Sequence, residues 1–150
     1  MKKRATLPDT NYILRYLLRD NESHYVEAAG FFENVRSGKE LAIIAESVLV
    51  ECLYVLTKHY KVPRTEGAKS LYGILLYKGI VNHNRETLTR ALTQFAETTL
   101  DPVDCLLIAM AENEGYSVRS FDRALVNYPA ASDGASWIIE RSDSTDSPQA

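Results

Sequence analysis

The chain has 150 residues, of which 45% are hydrophobic and 25% are charged, and its formal net charge is −3. This length predicts one domain with a buried core, and the composition is ordinary for a globular protein. With this slight negative net charge, the protein as a whole does not attract nucleic acid electrostatically, although a local positive rim is still sufficient for binding.

The first half of the chain alternates short apolar segments with amphipathic ones. Residues 4–9 predict a strand that ends at Asp9, and helices are expected over residues 10–20 and 22–37, with Gly38 ending the second. The continuous apolar run LAIIA, residues 41–45, is typical of a strand buried on both faces. Ser47 is a candidate N-cap for the next helix, which ends before Pro63.

The second half continues this alternation. It predicts helices over residues 64–77, 85–98 and 101–114, strands over 80–84 and 116–121, and a weak strand over 136–140. The polar segment 141–150 is expected to be disordered. Strands alternating with helices predict an α/β fold with a mainly parallel sheet.

Acidic residues stand at the ends of two predicted strands. Asp9 ends the first strand and Asp122 directly follows the segment YSVRSF. Ligands of open α/β sheets gather beyond the carboxyl ends of the strands, so both acids are candidates for a site. For Asp122 alone, an N-cap in a turn is an equally simple explanation. Asp101 precedes Pro102 and is predicted to be the N-cap of its helix.

Two further acids lie on helix faces that are otherwise apolar. Asp104 shares its face with Leu107, Ile108 and Ala111. An acid in a first turn also complements the helix dipole, but that explanation does not account for its inward direction. Glu51 has no basic residue three or four positions away, so no local ion pair explains it. We therefore expect both carboxylates to be buried or half-buried.

Converging carboxylates need a cation. Two like charges about 4 Å apart repel by about 4 kcal/mol at an effective dielectric of 20. Mg²⁺ or Mn²⁺ would neutralise them through oxygen ligands, whereas zinc prefers His and Cys. The three histidines have no metal-binding spacing and are expected at the surface or in packing: His24, His59 and His83. Cys52 and Cys105 are predicted to be small core residues.

The sequence indicates no export and no membrane span. The N-terminus MKKRATLPDT has no apolar stretch of the kind found in signal peptides, and the run LAIIAESVLVECLYVL is interrupted by Glu46 and Glu51. Two cysteines do not make a disulfide framework. We therefore expect a cytoplasmic protein.

Four motifs occur in an order that resembles that of PIN-domain ribonucleases, most closely the VapC-type toxins of prokaryotic toxin–antitoxin pairs: DTNYILRYLL, SVLVECLYVL, DPVDCLLIAMAENEG and SFDRAL. The resemblance covers about residues 5–140, which makes residues 1–140 the expected nuclease domain. It departs from the family at Pro8, where an apolar residue is usual. Proline cannot donate to a sheet ladder, so the first strand is expected to end early or bulge.

The resemblance implies a three-layer α/β/α sandwich with a central parallel sheet. It implies cleavage of RNA with Mg²⁺ or Mn²⁺, a homodimer, and inhibition by a small antitoxin protein. It also assigns the family's acidic, metal-binding quartet to Asp9, Glu51, Asp104 and Asp122. Asn11 matches the asparagine of the DTN motif, and Ser120 stands where a Ser or Thr commonly precedes the last acid.

Basic residues at the rim would help RNA approach a pocket of like charge. The candidates are Arg15, Arg19, Arg119 and Arg123. A solvated helix face explains Arg15 and Arg19 equally well. The aromatic residues of the early helices fit either the core or a surface for an antitoxin or a second subunit: Tyr12, Tyr16, Tyr25, Phe31 and Phe32.

Two other functions fit parts of the pattern. A phosphatase with an aspartyl nucleophile often has a second Asp two positions later, but Asn11 stands there. A degenerate domain that binds a partner without cleaving RNA predicts that Asp9→Asn and Asp104→Asn leave the phenotype unchanged.

Overall fold

The computed structural model describes residues 4–126, and most of this segment is helical. The helices are α1 Thr10–Leu18, α2 Glu22–Ser37, α3 Glu46–Tyr54, α4 Arg64–Leu75, α5 Arg85–Glu97, α6 Pro102–Glu114 and α7 Arg123–Val126, and the π-helical turn Val55–His59 follows α3 directly. None of these described helices combines the length and apolar character needed to cross a bilayer.

Glycines end two helices as predicted. Gly38 after α2 and Gly115 after α6 adopt φ values of 88° and 79°, a left-handed conformation in which glycine is not strained. Ser47 is not the cap of α3, because that helix begins one residue earlier, at Glu46. Glu46 accepts a hydrogen bond of 2.9 Å from Asn84 Nδ2, which ties the first turn of α3 to a segment distant in sequence.

The predicted parallel sheet is reduced to isolated bridges. Thr6 pairs with Ala42, and Ala42 pairs with Ile80, both in parallel. Backbone bonds of 2.8–3.0 Å flank these pairs on each side of the central segment, residues 41–43. Pro8 has no N–H to extend the first pairing. The three segments therefore lie side by side in the predicted direction, but the described residues contain no extended strand.

The predicted strand over residues 116–121 is wrong. These residues form no bridge with any part of the chain that the structure describes. They are largely exposed, and Phe121 and Tyr116 present their rings to solvent. The segment therefore lacks the flanking strand and the buried face that its β-branched and aromatic content suggested. The strand expected over 136–140 and the tail 141–150 lie outside the described residues.

The chain divides into two compact units, Met1–Arg85 and Glu86–Ala150. In the first unit, α1 packs against α2 and α3, and α3 packs against α4. Its core consists mainly of aliphatic side chains that are almost fully buried, among them Ile13, Leu14, Ile44, Leu49, Leu53, Leu71 and Leu75.

Aromatic residues join α1 to α2. Phe32 is fully buried, and the Tyr16 ring stacks on it with centroids 4.6 Å apart. Tyr12 meets Phe31 edge to face at 5.6 Å, and Tyr25 stacks on Tyr16 at 6.4 Å. Phe32 therefore belongs to the core, as one of the two explanations predicted, while the other four rings are half-buried around it.

In the second unit, polar groups link α5 to α6. Arg90 is fully buried and its guanidinium forms an ion pair with Glu112, whose side chain is 3% exposed. The same carboxylate accepts a long hydrogen bond of 3.5 Å from Gln94, and Thr87 donates to Glu114 at 2.6 Å. Since α5 presents both apolar and polar residues to buried surroundings, these pairs fix how α6 lies along it.

Candidate active site

Asp9 stands between the first bridge segment and α1. It is the N-cap of that helix, and its Oδ1 accepts a hydrogen bond of 2.9 Å from the backbone N–H of Tyr12. The residue is exposed, as expected for an acid at the carboxyl end of a strand-like segment. The N–H groups at the start of α1 therefore orient this carboxylate.

Glu51 is exposed on α3, so the prediction of a buried or half-buried carboxylate is wrong for this residue. The buried face of α3 is formed by Leu49, Cys52 and Leu53. Glu51 lies about 100° from Cys52 around the helix, which turns it away from that face. Its Oε1 accepts a hydrogen bond of 3.0 Å from the Thr10 hydroxyl, so the first residue of α1 holds it.

An open cavity of about 570 Å³ between α1 and α3 contains both acids. Its polar lining near the start of α1 consists of Asp9, Thr10, Asn11 and Glu51. Leu14 and Val55 supply apolar surface, and Arg15, His59 and Tyr60 complete the lining. Two acids that are 42 positions apart in sequence thus share one concave surface of a size typical for ligand sites.

Asp104 lies in the first turn of α6 and is half-buried, as predicted. Burial raises the pKa of its carboxyl above the ordinary value, and the negative charges of Asp101 and Asp122 raise this pKa further. Asp101 occupies the predicted N-cap position before Pro102. The negative charges of both neighbours therefore act on Asp104 and favour its protonated form or a nearby cation.

Asp122 is exposed and takes part in a tight turn. Its Oδ1 accepts a hydrogen bond of 2.9 Å from Ala124 N–H, and its own N–H donates to Ser120 Oγ at 2.9 Å. This is the N-cap arrangement that the alternative explanation predicted, at the start of the short helix α7. Ser120 therefore positions the backbone of the acid that follows it.

The structure groups the four predicted acids into two pairs, each within its own unit. Asp9 and Glu51 share the cavity of the first unit, and Asp104 and Asp122 interact electrostatically in the second. Within residues 4–126, no group of three or more His, Cys, Asp or Glu side chains is placed to hold a metal ion. The available donors are carboxylate oxygens, which fit Mg²⁺ or Mn²⁺ better than zinc.

The two cysteines are buried core residues, as predicted. Burial raises the pKa of the Cys52 thiol to about 12, and the carboxylates of Glu51 and Asp9 add to this rise. A thiol with such a pKa is almost entirely protonated near neutral pH and is a poor nucleophile. The catalytic candidates in this region are therefore the acids and not the thiol.

The basic candidates have different surroundings. Arg15 lines the cavity, whereas the Arg19 guanidinium lies 4.1 Å from the centroid of the Tyr25 ring. Arg119 and Arg123 are exposed in the second unit. Arg15 is therefore the candidate that the structure places beside predicted site residues.

Several residues at the site were not predicted from the sequence. Among the described residues of the DTN motif, Thr10 rather than Asn11 donates a side-chain hydrogen bond to a predicted site acid, Glu51. His59 was expected at the surface or in packing and Tyr60 was not considered, yet both line the cavity with Asp9 and Glu51. Thr10 lies inside the DTN motif, and its position at the start of a predicted helix was the available signal. For His59 and Tyr60 there was none, because the π-helical turn that places them has no sequence signature.

The family model described as PIN domain matches residues 6–131. No curated protein and no solved structure matched the chain in the two other comparisons.

Proposed function

We propose, from the premise that the chain belongs to the PIN domain family, that it is a metal-dependent endoribonuclease and the toxin of a toxin–antitoxin pair. PIN domains are generally metal-dependent nucleases. The observation that carries the proposal is the cavity in which Asp9 and Glu51 meet, since both acids belong to motifs that resemble those of the family.

The metal would be Mg²⁺ or Mn²⁺. The resemblance to the family assigns it to Asp9, Glu51, Asp104 and Asp122, with Asp9 and Asp104 as direct ligands and Glu51 and Asp122 completing the shell or holding a second ion. Such an ion lowers the pKa of a bound water and stabilises the charge that develops on the phosphate. The raised pKa of Asp104 supports this assignment, because a carboxyl in acidic surroundings gains most from a nearby cation.

The remaining residues would position these carboxylates. Tyr12 N–H holds one oxygen of Asp9, and Thr10 Oγ1 holds one oxygen of Glu51. Ser120 accepts from the backbone of Asp122, which fixes the turn that carries this acid. Asn11 lines the cavity and would orient Asp9 or a water. Restraining the ligands in this way raises affinity, because less freedom is lost when the ion binds.

Cleavage of RNA by the purified protein tests the enzymatic part. In Mg²⁺, the wild type is expected to degrade an RNA mixture, while Asp9→Asn and Asp104→Asn are expected to lose this activity. The matched control is Asp101→Asn, which removes a neighbouring acid that has no assigned ligand role and keeps a good N-cap residue. Equal activity in all four proteins would contradict the proposal.

The toxin role is a separate part of the proposal and needs its own test. Expression of the wild type is expected to arrest growth, and Asp104→Asn is expected to be harmless. Co-expression of a small antitoxin protein encoded beside the gene should restore growth. We expect the isolated toxin to be a homodimer, which sedimentation of the purified chain would show. Growth arrest by Asp104→Asn at equal expression would contradict a nuclease toxin.

A further inference from the structure

The cavity of the first unit has a cationic and aromatic part beside its acids. Arg15 donates to the Tyr60 hydroxyl from one guanidinium nitrogen at 3.2 Å and to Asp20 from the other at 2.8 Å. His59 meets the Tyr60 ring edge to face, with centroids 4.8 Å apart. The ring of Tyr60 is thus held from two sides, while the residue is 36% exposed.

The π-helical turn is what places Tyr60 on the cavity side. In a continued α-helix, Tyr60 would point roughly 140° away from Val55. The observed bond from Tyr60 N–H to Val55 O, 3.1 Å, joins residues five apart and brings Tyr60 to within roughly 50° of Val55. Glu51 is one α-helical turn before Val55, so one face of this helix carries the acid, the apolar residue and the ring.

The backbone after Tyr60 is also unusual. Lys61 adopts φ 59°, a left-handed conformation that is unfavourable for a residue with a side chain. The next residue, Val62, donates its N–H to Leu56 O at 2.9 Å, which closes the chain back on the π-helical turn. Lys61 thus supplies the left-handed residue with which helices commonly end, and the chain reversal fixes the exposed Tyr60 ring beside the cavity.

An RNA strand needs cationic and aromatic contacts to enter an acidic cavity. The carboxylates of Asp9 and Glu51 repel phosphate groups, whereas the guanidinium of Arg15 attracts them. Two of the five N–H donors of the Arg15 guanidinium are used in the contacts given above, so the group can still donate to a phosphate oxygen. An exposed, fixed aromatic ring beside that charge matches the stacking surfaces of proteins that bind single-stranded nucleic acid.

We propose that Tyr60 is the stacking platform for an unpaired base of a single-stranded RNA segment, with Arg15 holding the adjacent phosphate. This inference rests on the proposed function for the identity of the ligand and adds to it the two residues that contact the strand. The base must be unpaired, since a base within a duplex cannot stack on a side chain. Tyr60 is a substrate-binding residue in this arrangement and takes no part in bond cleavage.

Equilibrium binding of a fluorescent, unstructured RNA oligomer tests the platform without relying on cleavage. All variants are made in the Asp104→Asn background with Mg²⁺ present. Tyr60→Ala is expected to weaken binding about tenfold, and Tyr60→Phe, which keeps the ring, is expected to bind like the parent. The matched control is Tyr54→Ala, because Tyr54 is an exposed tyrosine on α3 that does not line the cavity.

Abasic nucleotides placed singly along the oligomer identify the stacked base. At one position, loss of the base should weaken binding to the parent but not to Tyr60→Ala. Equal binding by folded Tyr60→Ala and the parent overturns the inference, as does absence of RNA binding by the parent. A loss in Tyr60→Phe as large as that in Tyr60→Ala also overturns it, because the hydroxyl and not the ring would then matter.

These outcomes are distinct from failure of the proposed function. If the wild type never cleaves RNA but Tyr60→Ala still binds the oligomer about tenfold more weakly, the nuclease assignment fails and the binding platform stands. If the wild type cleaves RNA, and Tyr60→Ala cleaves with unchanged KM and kcat, the nuclease assignment stands and the platform fails. A platform used during turnover predicts a higher KM with kcat little changed.

Discussion

Replacing Glu112 with glutamine removes the charge that faces Arg90 in the second unit and nearly preserves the shape of the side chain. The two side chains are 0% and 3% exposed, so solvent cannot screen the guanidinium that remains. Breaking a buried ion pair by removing one partner costs about 3–5 kcal/mol, because the other charge stays buried. That is a large share of the free energy of unfolding of a typical domain, about 5–15 kcal/mol.

Urea unfolding followed by circular dichroism measures this cost. With a denaturant slope of about 2 kcal/mol per M, a loss of about 3 kcal/mol lowers the midpoint by about 1.5 M. Glu33→Gln is the matched control, since Glu33 pairs with Arg36 on an exposed helix surface, and its midpoint should not change measurably. The double variant Arg90→Met, Glu112→Leu should recover most of the stability, because both charges are then gone.

Two results would refute this reasoning. A midpoint of Glu112→Gln equal to that of the wild type would show that Arg90 does not depend on this carboxylate. A double variant as unstable as Glu112→Gln would show that the cost arises from packing and not from a buried charge.

Three further predictions concern the site itself. In EDTA, Asp104→Asn should raise the melting temperature near pH 7. The pKa of Asp104 is raised in the folded protein. The stability that its carboxyl contributes is therefore present at low pH and is lost as pH rises through that pKa. The gain should vanish under acidic conditions, and a gain that persists there would contradict the assignment. Thr10→Val should raise the Mg²⁺ concentration needed for RNA cleavage about two- to fivefold through loss of its bond to Glu51, and an unchanged Mg²⁺ titration would show that this bond is unimportant. Cys52, with its thiol pKa of about 12, should react with a thiol reagent in a Cys105→Ala variant only as fast as the protein opens, so immediate labelling of the folded protein would contradict its burial.

Sequence reasoning succeeded where the determinant is local. Gly38 and Gly115 end their helices because a left-handed residue is needed there, and Asp101 precedes Pro102 at a helix start. Asp104 is half-buried as its apolar neighbours predicted: Ile108 on the same face is buried, although Leu107 is exposed. The prediction failed at Ser47, because α3 begins one residue earlier, at Glu46, whose side chain bonds to the distant Asn84.

The rest could not be predicted because it depends on contacts between distant segments. Nothing near Glu51 in sequence indicates that α3 buries its other face, which leaves this acid exposed in a cavity. Arg90 lies among residues typical of an amphipathic helix, and its burial depends on Glu112 from α6. Tyr60 reaches the cavity only through a π-helical turn, and a helical pattern assigns it to the wrong side.

The central claim is that the acids of this chain hold a hard dication that RNA cleavage requires. The most direct measurement follows RNA degradation by the purified wild type in excess EDTA and again after Mg²⁺ or Mn²⁺ is added beyond the chelator. We expect no degradation in EDTA and full recovery with either ion, whereas degradation that continues in EDTA and is abolished in Asp104→Asn would contradict the claim.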